Sequence, residues 1–432
     1  MKYLLILIIT LLSFVGVRGQ TWATLGTGTN KAVYSLDTGN SYLYVGGAFD
    51  TAGGFPLNHI AKWDGATWSG LGGGINGDVR ALIVFNGDLY AGGAFTSTAS
   101  GPAANIAKWD GASWMPLGSG TDGTIYTLAV YNGNLYAGGT FAHAGGVSAN
   151  NIGMWNGSSW SSLGQGTNDY VACMATYNGK LYIGGAFTFA GGNPEKTLAQ
   201  WNVNSWVPLN SPQSSSQGPP VVSAMAAING NLYYSLHIQP SSIEYALVTK
   251  FDGTSFTSEC RLSSMIYGIT IFSSELYFGG AQYQWPMIGK FSSSACVSWG
   301  RGQGVKNYGS VNTLISYKDY LYAGGLFDSA GVIKASNIAR WTFPGVGIAE
   351  EGKQQRLALY PNPSDGLFMI SSSHLYSGAF LLIRNVFGEL VKRVPLQDSN
   401  TSLDLRDQKQ GIYFYSLFNK NEEIDFGKLI IR

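Results

Sequence analysis

The feature that most constrains this chain is a repeated phrase: Leu-Tyr, one further residue, then Gly-Gly. It stands at Leu43-Tyr44 with Gly46-Gly47, Leu89-Tyr90 with Gly92-Gly93, Leu135-Tyr136 with Gly138-Gly139, and Leu181-Tyr182 with Gly184-Gly185. Leu232-Tyr233 keeps only the dipeptide; Leu276-Tyr277 with Gly279-Gly280 and Leu321-Tyr322 with Gly324-Gly325 complete the series. The leucines step by 46, 46, 46, 51, 44 and 45 residues, a period that suits propeller blades better than the shorter or helical repeats of solenoids.

Each repeat divides into four short apolar segments. In the second, residues 79–85 lead through Asn86-Gly87 into residues 89–95. After a longer loop, Asn105-Ile106-Ala107-Lys108-Trp109 leads through Asp110-Gly111 into Ser113-Trp114-Met115-Pro116-Leu117-Gly118. Asn-Gly and Asp-Gly between alternating runs predict two-residue type I′ hairpins, because such turns need positive φ at both central positions. Four antiparallel strands per repeat make a blade. The ends of the series also fit each other. Thr21-Trp22-Ala23-Thr24-Leu25-Gly26 matches the fourth segment Thr67-Trp68-Ser69-Gly70-Leu71-Gly72, whereas the last repeat stops after Asn337-Ile338-Ala339-Arg340-Trp341. Pairing the two closes a ring and removes an edge that would invite aggregation. Residues 21–342 number 322, seven times 46, so the expectation is an all-β, seven-bladed β-propeller over residues 20–342.

Residues 1–19 are of another kind. Lys2 precedes an almost wholly apolar run, residues 4–15, and Val17-Arg18-Gly19 supplies small residues ahead of Gln20. That pattern predicts a secretory signal peptide cut after Gly19, the apolar run being shorter than a membrane span. Lys+Arg 26 nearly balance Asp+Glu 25 and no basic run exists, which argues against nucleic acid as a partner.

Several recurring residues read as architecture. The pairs Trp63/Trp68, Trp109/Trp114, Trp155/Trp160 and Trp201/Trp206 hold fixed positions and suit blade packing better than a carbohydrate ladder. The Gly-Gly pairs suggest close backbone approach, and Asn105, Asn151 and Asn337 are expected to tie down loops by side-chain hydrogen bonds. Cys173 aligns with Ala81 and reads as buried filler. The register argues against a Cys260–Cys296 bridge. Cys296 takes the slot of Trp68 and Cys260 that of Gly72, an offset of about 13 Å at ~3.3 Å per residue; a bridge needs Cα atoms about 4.4–6.8 Å apart.

Strand alternation puts the 1–2 and 3–4 turns on one face and the longer 2–3 and 4–1 loops on the other, which makes the long-loop face the candidate recognition surface. Repeats five and six depart most from the pattern, with Phe251/Phe256, then Phe291 and Cys296, in place of the tryptophans. Their 2–3 loops carry His237, Glu244 and Tyr245, and then Tyr283 and Trp285, which are the candidate ligand-binding residues; the alternative is drifted blades whose aromatics fill gaps. No catalytic constellation, metal cluster or cofactor motif emerges from the four histidines, the carboxylates or the serines. Gly28-Thr29-Asn30 and Gly120-Thr121-Asp122-Gly123 could lend oxygens to a cation, but polar turns usually do no more than turn.

The repeats resemble Kelch and galactose-oxidase-like propellers, with Gly-Gly in the second strand and aromatics along the third and fourth. They are more similar still to secreted bacterial repeats of the form Asn-Ile-Ala-Lys-Trp-Asp-Gly…Leu-Tyr-x-Gly-Gly-x-Phe. The resemblance covers residues 21–342 and speaks for the fold; Kelch spacing is not reproduced, so no Kelch partner is implied.

Composition changes after Trp341. Residues 343–356 read as a linker, and residues 357–432 hold short alternating strands that predict a small Ig-like β-sandwich. This segment resembles the type A C-terminal sorting domain of the type IX secretion system of Bacteroidetes. The likeness rests on Leu359-Tyr360-Pro361-Asn362-Pro363 with Gly366, Arg384-Asn385-Val386-Phe387-Gly388, Gly411-Ile412-Tyr413 and the terminal Lys428-Leu429-Ile430-Ile431. It implies that Tyr360, Pro361, Asn362, Pro363, Gly366, Gly388, Gly411, Tyr413 and Lys428 are structural or recognition positions. It also implies export with the type IX machinery as partner, to the medium or the outer-membrane surface. The expectation for the whole chain is a monomeric binding propeller for an extracellular glycan or protein, with no enzymatic activity. A polysaccharide-active enzyme and a structural adhesion component are the alternatives.

Overall fold

In the computed structural model the described residues are 21–194, 197–207, 209, 220–238, 245–273, 275–282, 285–292, 295–299, 305–306, 309–342, 357–360, 362–372, 378–385, 390–396, 400–419 and 422–432. The expected signal peptide (1–19) and linker (343–356) lie outside them. The chain divides into two compact units, Met1–Pro344 and Gly345–Arg432. Both are built of strands, and no helix among the described residues is long and apolar enough to cross a membrane.

The described residues of the first unit form seven four-stranded antiparallel sheets, each with its strands in chain order from one edge, except where the ends of the chain meet. The edge strands Val33–Gly39, Asp78–Phe85, Thr124–Tyr131, Val171–Tyr177, Val221–Ile228, Met265–Phe272 and Ser310–Tyr317 pack successively, and the last packs on the first. The sheets are therefore the blades of a closed β-propeller, with those strands around the axis. Closure falls where the matching ends place it: Thr21–Thr24 pairs with Ile338–Thr342, with Trp22 opposite Trp341.

Side-chain size explains the close stacking. The first glycine of each pair faces a β-branched residue on the next blade: a Cβ on Gly92 would lie 2.7 Å from Ile125, and one on Gly324 would lie 2.5 Å from Val33 across the closure. The second glycine lies against a carbonyl at, or one residue before, the start of its own inner strand. At that level each of the seven inner strands carries a β-bulge, between Val33/Ser35, Val79/Ala81, Ile125/Thr127, Val171/Cys173, Val222/Ala224, Ile266/Gly268 and Val311/Thr313.

The tryptophans pack as the repeat implies. Each Trp pair is tilted with centroids 5.1–5.5 Å apart. The second indole donates Nε1–H to the preceding blade, Trp68 to Leu25 O (2.8 Å), Trp114 to Leu71 O (2.9 Å), Trp160 to Leu117 O (2.8 Å) and Trp206 to Leu163 O (2.9 Å). Asn105, Asn151 and Asn337 take positive φ of 63°, 63° and 64°, which asparagine tolerates, and their amides donate to Thr121 O, Thr167 O and Thr29 O.

Two expectations need correction. Asn86-Gly87, Asn132-Gly133, Asn178-Gly179 and Asn229-Gly230 have positive φ at both positions, as type I′ turns require. Asp64-Gly65 and Asp110-Gly111 instead open four-residue loops: Trp63 pairs with Trp68, and Trp109 with Trp114. There the Asp64 carboxylate accepts the Ala66 and Thr67 N–H groups at 2.7 Å, so a side chain does the work of the turn backbone.

The second correction is the disulfide. Cys260 and Cys296 are bridged, with Cα atoms 5.8 Å apart. The sequence argument treated neighbouring outer strands as level, but the blades are staggered. A Cβ on Gly26, Gly118 or Gly164 would lie 3.6 Å from Trp68, Trp160 or Trp206 of the following blade. Cys260 and Cys296 occupy this same pair of slots, so an offset of four positions brings them together. Cys173 is free and buried, and burial pushes its thiol up.

The second unit comprises two antiparallel sheets. Leu357–Tyr360, Leu367–Ser372 and Asn400–Asp404 form one, and Phe380–Asn385, Leu390–Pro395, Gly411–Asn419 and Glu422–Ile431 form the other. Phe368, Ile370, Leu381, Ile383, Leu403 and Leu417 are among the residues that fill the core between them.

Candidate functional site

The long-loop face is built by a device repeated from blade to blade. In the first four blades the 2–3 connection is a miniature hairpin, Thr51–Ala52 with Phe55–Pro56 in the first and Phe189–Ala190 with Asn193–Pro194 in the fourth. A residue of the 4–1 loop clamps it. Asn30, Asn76, Asp122 and Asn168 each accept two consecutive backbone N–H groups from the hairpin through Oδ1, at 2.8–3.0 Å. Thr29 and Thr121 turn their hydroxyls to Lys31 O and Gly123 O. The oxygens considered for a cation are thus engaged by the fold, and no group of three or more His, Cys, Asp or Glu suited to a metal occurs among the described residues.

In blade three the clamp gains a side-chain hydrogen bond: His143 Nδ1 lies 2.7 Å from Asp122 Oδ2. Partial burial acts to raise the Asp122 carboxyl, yet the backbone and ring N–H groups of His143 and the Ala142 N–H hold it below the ordinary value. Beside it, a cavity of about 690 Å³ between blades three and four is lined by Ser148, Asn150, Gln165, Asn168 and Phe189, among others. A neighbouring cleft of about 460 Å³ shares Asn150, Thr167 and Asn168 with it.

At the axis the bulges decide the surface. Each adds one residue beside the long-loop end of an inner strand: Tyr34, Arg80, Tyr126, Ala172, Ser223, Tyr267 and Asn312. A bulge re-aims the side chain it adds. Arg80 lies over Tyr34 at 4.8 Å and over Tyr126 at 5.8 Å, and Tyr126 meets Tyr170 edge-on at 6.0 Å. Arg80 Nη2 also reaches Asp78 Oδ2 at 2.9 Å. Burial raises the Tyr34 hydroxyl, the Asp78 carboxylate adds to the shift, and Arg80 opposes it. Burial likewise raises Tyr170, with Asp169 adding to it. On the far arc, Ser223 Oγ donates to Ile266 O at 2.6 Å and Asn312 Nδ2 to Val33 O at 2.9 Å, each tying one blade to the next.

Of the candidates of repeats five and six, the described residues include His237, Tyr245 and Trp285. His237 is a correction: it is buried within Asn231–Ile238, opposite Val221 and Ala246, rather than on a loop. Ser235-Leu236 stands where the other blades carry Gly-Gly, and here, as in blade six with its Gly279-Gly280, the ladder runs on past the point where blades one to four break into a hairpin. Tyr245 opens the next strand opposite Ile238, half-buried beneath the Arg261 guanidinium at 3.7 Å. Trp285 likewise lies in a strand, opposite Gln282. Glu244 and Tyr283 lie outside the described residues. The sequence reading missed Tyr34, Arg80, Tyr126, Tyr170 and Tyr267. A signal existed: the residue after Val33, Val79, Ile125 and Ile266 is large and polar while its predecessor stays β-branched.

In the C-terminal unit the predicted motif residues meet although they are far apart in the chain. Asn362 Nδ2 donates to Lys428 O (2.7 Å) and its Oδ1 accepts the Ile430 N–H (2.9 Å). Ser364 N–H and C=O continue the clamp to Ile430 O and Arg432 N–H. Tyr360 is exposed at the end of its strand, opposite Met369, and Pro363 follows a cis peptide. Gly366, at φ 105°, passes so close to Arg406 that a Cβ would lie 2.9 Å from its Cα. Gly411 begins a strand, and buried Tyr413 donates its hydroxyl to Lys409 O at 2.7 Å. Pro361 and Gly388 lie outside the described residues.

A closed ring of sheets with a polar aromatic mouth, followed by a separate two-sheet unit, defines a β-propeller protein with an appended C-terminal domain. Residues 358–432 match the secretion system C-terminal sorting domain, which identifies that appended unit and implies dealings with the type IX secretion machinery. No curated protein matches the chain. Among solved structures, PorZ, an essential bacterial surface component of the type IX secretion system of Porphyromonas gingivalis, aligns at 13% identity and TM-score 0.40. The alignment covers 92% of this chain and 65% of PorZ, so the chain spans less than two thirds of it. YCF48 bound to D1 peptide aligns at 12% identity and TM-score 0.46, over 75% of this chain and 95% of that one. YjhT aligns at 16% identity and TM-score 0.41, over 61% and 94%.

Proposed function

We propose that this is a seven-bladed, Kelch-like binding propeller of a Bacteroidetes-type bacterium, led to the periplasm by residues 1–19 and exported by its Ig-like sorting domain. In the medium or at the cell surface it recognises a glycan or protein ligand through the long-loop face, without catalysis. The match of residues 358–432 carries the export half of this reading. The binding half rests on the gathering of the longer connections, the cavity between blades three and four and the tyrosine-lined mouth on one face of the ring. Of the carboxylates beside the mouth, Asp78 is engaged by Arg80 and Asp169 accepts the Tyr170 N–H, an arrangement that suits holding better than acid–base chemistry.

Export is tested by expressing the chain with and without residues 357–432 in a type IX-competent host. The full chain is expected outside the cell, and the truncated chain in the periplasm; equal secretion of both would overturn the export reading. A glycan array and a polysaccharide pulldown with product analysis, on the full chain, test the rest. Retention without turnover is expected, and product release would replace the binder with an enzyme.

A further inference from the structure

We propose that the mouth of the central channel, where Tyr34, Arg80, Tyr126 and Tyr170 converge, is a subsite for a neutral glycan. The inference rests on the binding reading above and gives it a place and a ligand class. Tyr34, Arg80 and Tyr126 are bulge residues of consecutive blades, and Tyr170 immediately precedes the inner strand of the fourth, so one arc of the axis presents four large side chains in a row. On the opposite arc Ser223 and Asn312 seal blade junctions, and the one large bulge residue between them, Tyr267, turns its hydroxyl to the Met265 sulfur of its own strand. The asymmetry separates side chains spent on the fold from side chains that project from it.

The chemistry of the arc selects the ligand. Tyrosine offers a broad apolar face with a polar tip, and with two side-chain torsions to fix it loses little freedom on binding. A sugar ring has the complementary form: an apolar C–H face to lie on an aromatic ring and a rim of hydroxyls. Arg80 and Asp78 are 35% and 28% exposed and joined at 2.9 Å, so the pair presents further donors and acceptors to that rim without net charge. A polyanion is disfavoured, because Asp78 already occupies the guanidinium and exposed Asp169 adjoins Tyr170. A basic peptide would need several carboxylates free of Arg80, and Asp169 is a single one. A neutral glycan needs neither.

The experiment is affinity electrophoresis and calorimetry of the full chain against neutral polysaccharides (β-glucan, xylan, mannan, dextran), acidic ones (alginate, polygalacturonate) and a peptide library. The expected result is binding confined to a neutral polysaccharide, weakened at least about tenfold in Tyr34→Ala/Tyr126→Ala, as truncating central aromatic contacts does. Tyr126→Phe should bind within about threefold of wild type, since the stacking face remains. Tyr126→Leu, which keeps bulk beside Tyr170, gives the same reading if the double variant melts lower. Undiminished neutral-glycan binding by the alanine variant would overturn the subsite while leaving the binding reading intact. Capture of acidic glycans or peptides instead would overturn the ligand class. Silence across all three classes would overturn both.

Discussion

Blades one to four and blades five and six solve the same packing problem with different chemistry. In the regular blades an indole lies against a glycine of the preceding blade and donates Nε1–H to a neighbouring carbonyl. Blade five puts Phe256 in the indole slot, which cannot donate, and blade six puts Cys296 there, bonded to Cys260. At the junction of blades five and six a covalent bond therefore stands where the regular blades use a hydrogen bond. The drifted pair also extends its strands through the positions where its neighbours break into hairpins. Departure from the repeat is thus accompanied here by a change in how blades are fastened. The more informative variation lies inside the constant frame, at the one bulged position where each blade is free to choose its residue.

The comparison can be broken in several places. The largest effect is expected in the regular half. Trp160→Ala empties a packed slot and orphans Leu117 O, and should cost about 3–5 kcal/mol in chemical denaturation. Cys260→Ser/Cys296→Ser should cost about 2–4 kcal/mol for a closed loop spanning 36 residues of sequence. A reducing agent should lower the melting temperature of the wild type and leave that variant unmoved. Asn337→Ala frees Thr29 O at the closure and leaves the Phe327 N–H without its side-chain acceptor; about 1–3 kcal/mol is expected, with faster hydrogen exchange in strand Thr21–Thr24.

The smallest effect is acid sensitivity at the 3–4 loops. The Thr67 N–H, with the Ala66 N–H and the Thr67 hydroxyl, lowers Asp64 from 3.8 to about 2. A depressed folded pKa stabilises above the unfolded value, and that contribution disappears as pH falls from 3.8 towards 2. Blade three holds the same loop with Asn156, whose Oδ1 accepts the Ser158 and Ser159 N–H groups at 2.9 Å. Asp64→Asn should therefore fold normally and lose part of the acid dependence measured by thermal melts across that range.

Much of this architecture was legible in the sequence. The Leu-Tyr…Gly-Gly period marked the repeats, the matching ends marked the closure, and Asn105, Asn151 and Asn337 hold loops as expected. The disulfide was not legible, because a linear register contains no information about the stagger between blades. His237 was misplaced because loop length was inferred from the regular repeats, whereas in blades five and six the ladder continues through those positions. The mouth was invisible for a related reason. A bulge adds a residue inside a strand, so Tyr34, Arg80 and Tyr126 read as ordinary strand positions unless the large polar residue after each β-branched one is compared across the repeats.

The central claim is that the regular blades carry recognition and the drifted blades carry structure. The most direct measurement compares dissociation constants for one neutral polysaccharide across three full-length proteins: wild type, Tyr126→Ala and Trp285→Ala. The account predicts about tenfold weaker binding for Tyr126→Ala and a value within about twofold of wild type for Trp285→Ala. The reverse order, with Trp285→Ala losing binding and Tyr126→Ala retaining it, would contradict the account and return the site to blades five and six.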